Sequence, residues 1–143
     1  HIHRLITSSF CHILAGTQEL VNLLMTGVAC SNVFDGEMAL DKDTTLKGVR
    51  SRSTIGFLSL FEHYGQVQVG DNLKTPVLPI WVVCSESHFS TFFSLTPNAI
   101  DGDLASKFDL FYFDGLARQD EEIRITVAPG GFRGDPDDDL TPP

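Results

Sequence analysis

The most specific chemical signal in the chain is one histidine and one carboxylate. His88 opens a run, His88 to Leu95, rich in Phe and Thr, and Asp114 follows another, Phe108 to Phe113. If these are antiparallel neighbours with Leu95 opposite Phe108, then His88 falls opposite Gly115 and Asp114 is its near neighbour. A carboxylate in that place accepts the imidazole Nδ1–H, sets the tautomer and leaves Nε2 to take a proton from a nucleophile. A thiol or serine hydrolase needs this arrangement for its base and orienting group. The same residues have simpler readings: a histidine at a strand start in a structural role, and Asp114-Gly115 as an ordinary turn dipeptide.

The sulfur side is less complete. Cys11, Cys30 and Cys84 are odd in number and far apart, a pattern that predicts free thiols in a reducing, intracellular compartment. Cys84 is nearest to His88 in sequence, but four residues of strand span about 13 Å. It also lacks a helix N-terminus to favour a thiolate. Neither Cys11 nor Cys30 has a Gln shortly upstream to serve an oxyanion. All three read as small buried apolar residues, so the base and its orienter are expected here without the nucleophile. His1, His3 and His12 have no metal-ligand spacing with any cysteine, so neither a metal nor a cofactor is expected. His63 sits at an expected helix C-terminus, where the dipole favours a cation.

The elements that must position this pair can be read from the hydrophobic period. Thr17-Gln18-Glu19-Leu20 predicts a helix start, with Thr17 as cap, Glu19 in the first turn, and Leu20, Leu23, Leu24 and Val28 as its apolar stripe up to Gly27. A second helix is predicted from Ser53 to His63 or Tyr64, with Phe57, Leu58, Phe61 and Tyr64 as its stripe. Asp35-Gly36 and Asp41-Lys42-Asp43 are turn chemistry between the two. Beyond residue 66 the period changes. Val67 and Val69 suggest a short strand. Ile80–Cys84, His88–Leu95, Phe108–Phe113 and Ile123–Val127 suggest an antiparallel meander, with Ser85-Glu86-Ser87 as a turn and 96–107 as a polar loop. Helices followed by a meander predict an α+β fold.

Composition limits the partners. The chain has 143 residues, 42% of them apolar, with 11 Phe, which suffices for one core. The net charge of −9 argues against nucleic acid and anionic membrane as main partners. The charge is concentrated late: 8 acids and 6 bases up to residue 100, against 11 acids and 4 bases after it. The domain is therefore read as residues 1–127, followed by a Gly/Pro/Asp-rich acidic tail, 128–143, that is expected to be disordered. In that tail Asp137-Asp138-Asp139 matches no calcium loop. The start at His1 and the end at Thr141-Pro142-Pro143 read as a piece of a longer polypeptide.

Longer words carry a family resemblance. Thr17-Gln18-Glu19-Leu20-Val21-Asn22-Leu23-Leu24, Ser31-Asn32-Val33-Phe34-Asp35-Gly36 and Ile55-Gly56-Phe57-Leu58-Ser59-Leu60 resemble the MINDY deubiquitinases. So do Gln68-Val69-Gly70, Leu73-Lys74-Thr75-Pro76, Pro79-Ile80-Trp81-Val82-Val83, Ser87-His88-Phe89-Ser90 and Phe108 through Leu116. The likeness spans about residues 14–127 and is nearest to the branch of the family's third and fourth members. It implies a papain-related α+β cysteine protease fold, of which this is the C-terminal part. It also implies hydrolysis of isopeptide bonds in polyubiquitin, with preference for chains joined through ubiquitin's lysine forty-eight. Ubiquitin and its chains are the implied partners. His88 matches the family's catalytic histidine, and Asp114 stands where the orienting residue is expected. The family's nucleophile and its upstream Gln belong to a segment this chain does not contain, so the stretch alone is expected to be inactive. The alternative from another class is a ubiquitin-binding pseudoenzyme. Glu86 and Ser87 are candidate neighbours of the channel for ubiquitin's tail, although Glu86 reads first as a turn residue facing water.

Overall fold

A computed structural model describes residues 17–86, 88–101 and 106–128. Cys11, Ser87, the three N-terminal histidines and the acidic stretch from 129 onward lie outside the described residues, as do the expectations attached to them.

Helix α1, Gln18–Thr26, ends where expected, at Gly27, whose φ of 77° is the left-handed cap conformation. Its packing differs from the expected stripe. Leu24 and Val28 are exposed, while Glu19, Asn22 and Met25 are buried. The helix is turned so that the Asn22 amide can be used. Its Nδ2 donates to the carbonyls of Cys30 and Asn32, at 2.8 and 3.0 Å, and its Oδ1 accepts from Gln18. A buried amide left without partners costs about 1–3 kcal/mol, enough to decide which face turns inward. Thr17 occupies the cap position, but its hydroxyl makes no cap bond and has no partner among the described residues.

Strands β1, Glu37–Ala39, and β2, Thr45–Lys47, form a small antiparallel ribbon. Asp41 sits in its turn and accepts the N–H groups of Asp43 and Thr44. Most of the second expected helix is not helical. Gly56–Ser59 is strand β3, and only Leu60–His63 is helical, as α2. The helical spacing of Phe57 and Phe61 was overridden by tertiary pairing: β3 runs parallel to β4, Ile80–Ser85, in the register Gly56 to Trp81 through Ser59 to Cys84. Gly56 is required there, because a Cβ would lie 2.4 Å from the Trp81 ring and 2.5 Å from the Leu73 carbonyl. The crossover that a parallel pair needs carries α2 and a further turn of helix, α3, Asp71–Lys74. The Val67–Val69 segment is not a strand; Val69 is buried in the core.

The rest is close to expectation. β5, His88–Phe93, pairs antiparallel with β4, then with β6, Phe108–Phe113, which pairs with β7, Ile123–Val127. A helical turn, α4, Asn98–Asp101, lies in the polar loop between β5 and β6. The five-stranded sheet runs β3-β4-β5-β6-β7 and is mixed rather than wholly antiparallel, within an α+β fold. Its core is built from Met25, Cys30, Val33, Val49, Phe57, Val69, Leu73 and Cys84, with Val82 and Phe89 packed against it.

Candidate functional site

Side chains alternate along a strand, so the ladders sort the residues by face. Phe57, Ser59, Val82, Cys84 and Phe89 share the face that carries the core. Ser85 pairs with His88, which places the imidazole on the other face. The two-residue connection in this hairpin puts Glu86 at φ 55°, exposed, in the left-handed region that a Cβ disfavours.

The β5–β6 ladder is short: Thr91 pairs with Phe113, Phe92 with Tyr112 and Phe93 with Phe111. This register is one residue away from the expected Leu95–Phe108 pairing. Continued to the strand start, it puts His88 opposite Leu116 rather than Gly115. Asp114 is then two positions from direct opposition and so on the same face as His88, where the expected register would have put it on the other. Diagonal neighbours of this kind are about 7–8 Å apart at their bases. A far ring nitrogen and a carboxylate bridge that span, and His88 Nε2 lies 2.7 Å from Asp114 Oδ2.

The nitrogen involved corrects the expectation. Nε2, not Nδ1, meets the carboxylate. Asp114 Oδ1 accepts the N–H groups of Leu116 and Ala117, at 2.9 and 3.3 Å. The Leu116 N–H foremost, with the His88 ring and the Ala117 N–H adding to it, holds the Asp114 carboxyl below the usual carboxylate range, against partial burial that acts the other way. An ionised carboxylate only accepts, so Nε2 carries the hydrogen and Nδ1 of the neutral ring keeps a free lone pair. The side chain of His88 is 39% exposed and that of Asp114 is 14% exposed. The imidazole can therefore be approached while the carboxylate is sheltered.

No cysteine among the described residues reaches this site. Cys84 is buried on the opposite face, and Cys30 is buried beside Asn22, both as free thiols. A cleft of about 490 Å³ is lined by Cys84, Ser59, Phe57 and Gln66 and belongs to the core face, away from His88. His63 is exposed at the end of α2 and packs edge-on against Tyr64. One residue escaped the sequence reading. The half-buried Gln119 bonds the loop after β6 from inside, and a lone Gln in a polar stretch carries no motif that would have pointed to it.

Comparison with known proteins places this chain in a family. Residues 3–143 match the conserved domain of the deubiquitinating enzymes MINDY-3/4. The chain is 56% identical over 133 residues to a human protein named probable ubiquitin carboxyl-terminal hydrolase MINDY-4, covering 89% of the chain and 18% of that relative. Against the mouse protein of that name it is 61% identical over 116 residues, which is 78% of the chain and 16% of the relative. A Xenopus tropicalis protein named ubiquitin carboxyl-terminal hydrolase MINDY-3 is 44% identical over 79 residues, 55% of the chain and 18% of the relative. The chain thus spans less than a fifth of the length of these relatives. No solved structure matches. The family match over nearly the whole chain, together with the identity to those relatives, makes this chain a member of the MINDY-3/4 family.

Proposed function

We propose that this chain carries the histidine side of a cysteine-type deubiquitinase active site, on the C-terminal part of a papain-related fold. The observation that supports it is the 2.7 Å bond between a sheltered carboxylate and an accessible imidazole, in a chain whose relatives are named ubiquitin carboxyl-terminal hydrolases. Asp114 keeps the Nε2–H tautomer. His88 Nδ1 takes the proton from a thiol as the sulfur attacks the isopeptide carbonyl, then passes it to the departing lysine amine. Water, deprotonated by the same nitrogen, cleaves the thioester and releases the ubiquitin carboxylate. Neither Cys30 nor Cys84 is placed to be that thiol, so it comes from a segment outside the described residues. The substrates are polyubiquitin chains, foremost those joined through ubiquitin's lysine forty-eight.

The test is His88→Ala in the full gene product, assayed on ubiquitin chains of defined linkage. Loss of a general base costs about 10²–10⁴-fold in turnover, with ubiquitin binding retained. Unchanged turnover would overturn the assignment. Binding without turnover in the unmodified protein would favour the pseudoenzyme.

A further inference from the structure

The loop from Asp114 to Glu122 joins β6 to β7, its composition is mostly polar and acidic, and its one large apolar residue, Leu116, is exposed. A loop of that kind has no intrinsic reason to keep one conformation. Yet Asp114 must hold one position if its carboxylate is to meet His88.

We propose that Gln119 is the positioning residue that locks Asp114 onto His88. Its side chain bonds to the loop at three points. Oε1 accepts the backbone N–H of Asp114 at 3.1 Å. Nε2 donates to the Tyr112 carbonyl at 2.9 Å and to the Glu121 carbonyl at 3.1 Å. The amide therefore ties the end of β6, the residue carrying the carboxylate and the approach to β7 into one neck. The neck lies just outside the last β6–β7 pair, Tyr112 with Ile123. Above it the Asp114 carboxylate closes the turn on itself through the N–H groups of Leu116 and Ala117, and its other oxygen is left for His88.

The arrangement divides the work by atom. The Asp114 N–H is fixed by Gln119, Oδ1 by the turn, and Oδ2 faces the imidazole. Without the neck, the loop keeps its turn bonds, but the turn as a whole is free to swing away from β5. The β5–β6 ladder cannot prevent this, because it ends at Thr91 and Phe113 and leaves no ladder pair between the two strands at the level of His88. A glutamine suits the task better than a charged residue. It supplies an acceptor for one N–H and two donors for two carbonyls, and it adds no charge beside the carboxylate it positions.

This inference rests on the His88–Asp114 reading, and the test separates the two. Two-bond ¹⁵N–¹H correlation on the imidazole rings of the ¹⁵N-labelled 143-residue chain reports the His88 tautomer. The unmodified chain is expected to show one tautomer, a proton-bearing Nε2 and a lone-pair Nδ1 with well-separated shifts. In Gln119→Met, of similar length but without hydrogen bonds, the two nitrogen shifts are expected to converge as the tautomers mix, while the amide signals of β3, β4 and β5 stay in place. Gln119→Glu keeps the acceptor and loses both donors, and is expected to fall between the two; it decides the matter if the Met variant does not fold. A single-tautomer pattern retained in a folded Gln119 variant would overturn the role of Gln119. An Asp114→Ala chain that keeps that pattern would instead overturn the dyad, and with it this proposal.

Discussion

Cys84 and His88, four residues apart in one hairpin, project from opposite faces of the sheet. Cys84 pairs with Phe89 and faces the core; His88 pairs with Ser85 and faces outward. Sequence distance made Cys84 the nearest thiol, but side-chain alternation removes it from the site altogether.

Cys84 is therefore expected to be inert. It should remain unlabelled by a ubiquitin-based thiol-trapping probe on the folded chain, and labelling read by mass spectrometry would contradict its placement. Cys84→Ser replaces a buried sulfur that lies 3.7 Å from the Glu86 carbonyl with a smaller, more polar hydroxyl, and should lower unfolding stability by about 1 kcal/mol or more, measured by urea titration.

Asp114 should show in acid. Its carboxyl titrates lower in the folded chain than its ordinary value of 3.8. Its contribution to stability is thus complete at pH values above that ordinary value and is lost as pH falls through the lower folded value. The stability gap between the unmodified chain and Asp114→Asn should close as pH falls below about 4. In the full gene product, Asp114→Ala should reduce turnover by about 10²-fold or more while leaving some activity. A gap that widens as pH falls below about 4 would reverse the sign and remove the ionised carboxylate.

Gly56 is held by contact rather than by backbone angle. Gly56→Ala would drive its Cβ into the Trp81 ring and the Leu73 carbonyl. It should cost about 1–3 kcal/mol or more, seen as a lower urea midpoint. A neutral result would mean that β3 is not seated on β4 as described.

Glu86 takes a left-handed conformation immediately beside the site. Glu86→Gly removes a Cβ penalty of about 1–2 kcal/mol and adds chain entropy of about 0.5–1 kcal/mol. The expected net is a gain of about 0 to 1.5 kcal/mol, with the His88 tautomer unchanged. A loss would mean that the glutamate's own interactions outweigh the backbone strain.

The local part of this fold was legible because local rules governed it. The α1 helix and its glycine stop, and the runs that became β4, β5, β6 and β7, each declare themselves within a few residues by period and turn chemistry. Segments that answer to distant partners were not legible. Gly56–Ser59 has helical spacing and becomes a strand because β4 offers a ladder. The buried face of α1 is chosen by Asn22 reaching carbonyls eight and ten residues away.

The sequence by itself determined which two residues to compare, since only His88 and Asp114 stand at adjoining ends of neighbouring apolar runs with the right functional groups. Tertiary structure alone decided the rest: the one-residue register that put both on one face, the ring nitrogen that meets the carboxylate, and the glutamine that holds the loop. The physical reason is that strand periodicity is two. A shift of a single residue is nearly invisible in composition and pattern, yet it reverses every side chain with respect to the sheet.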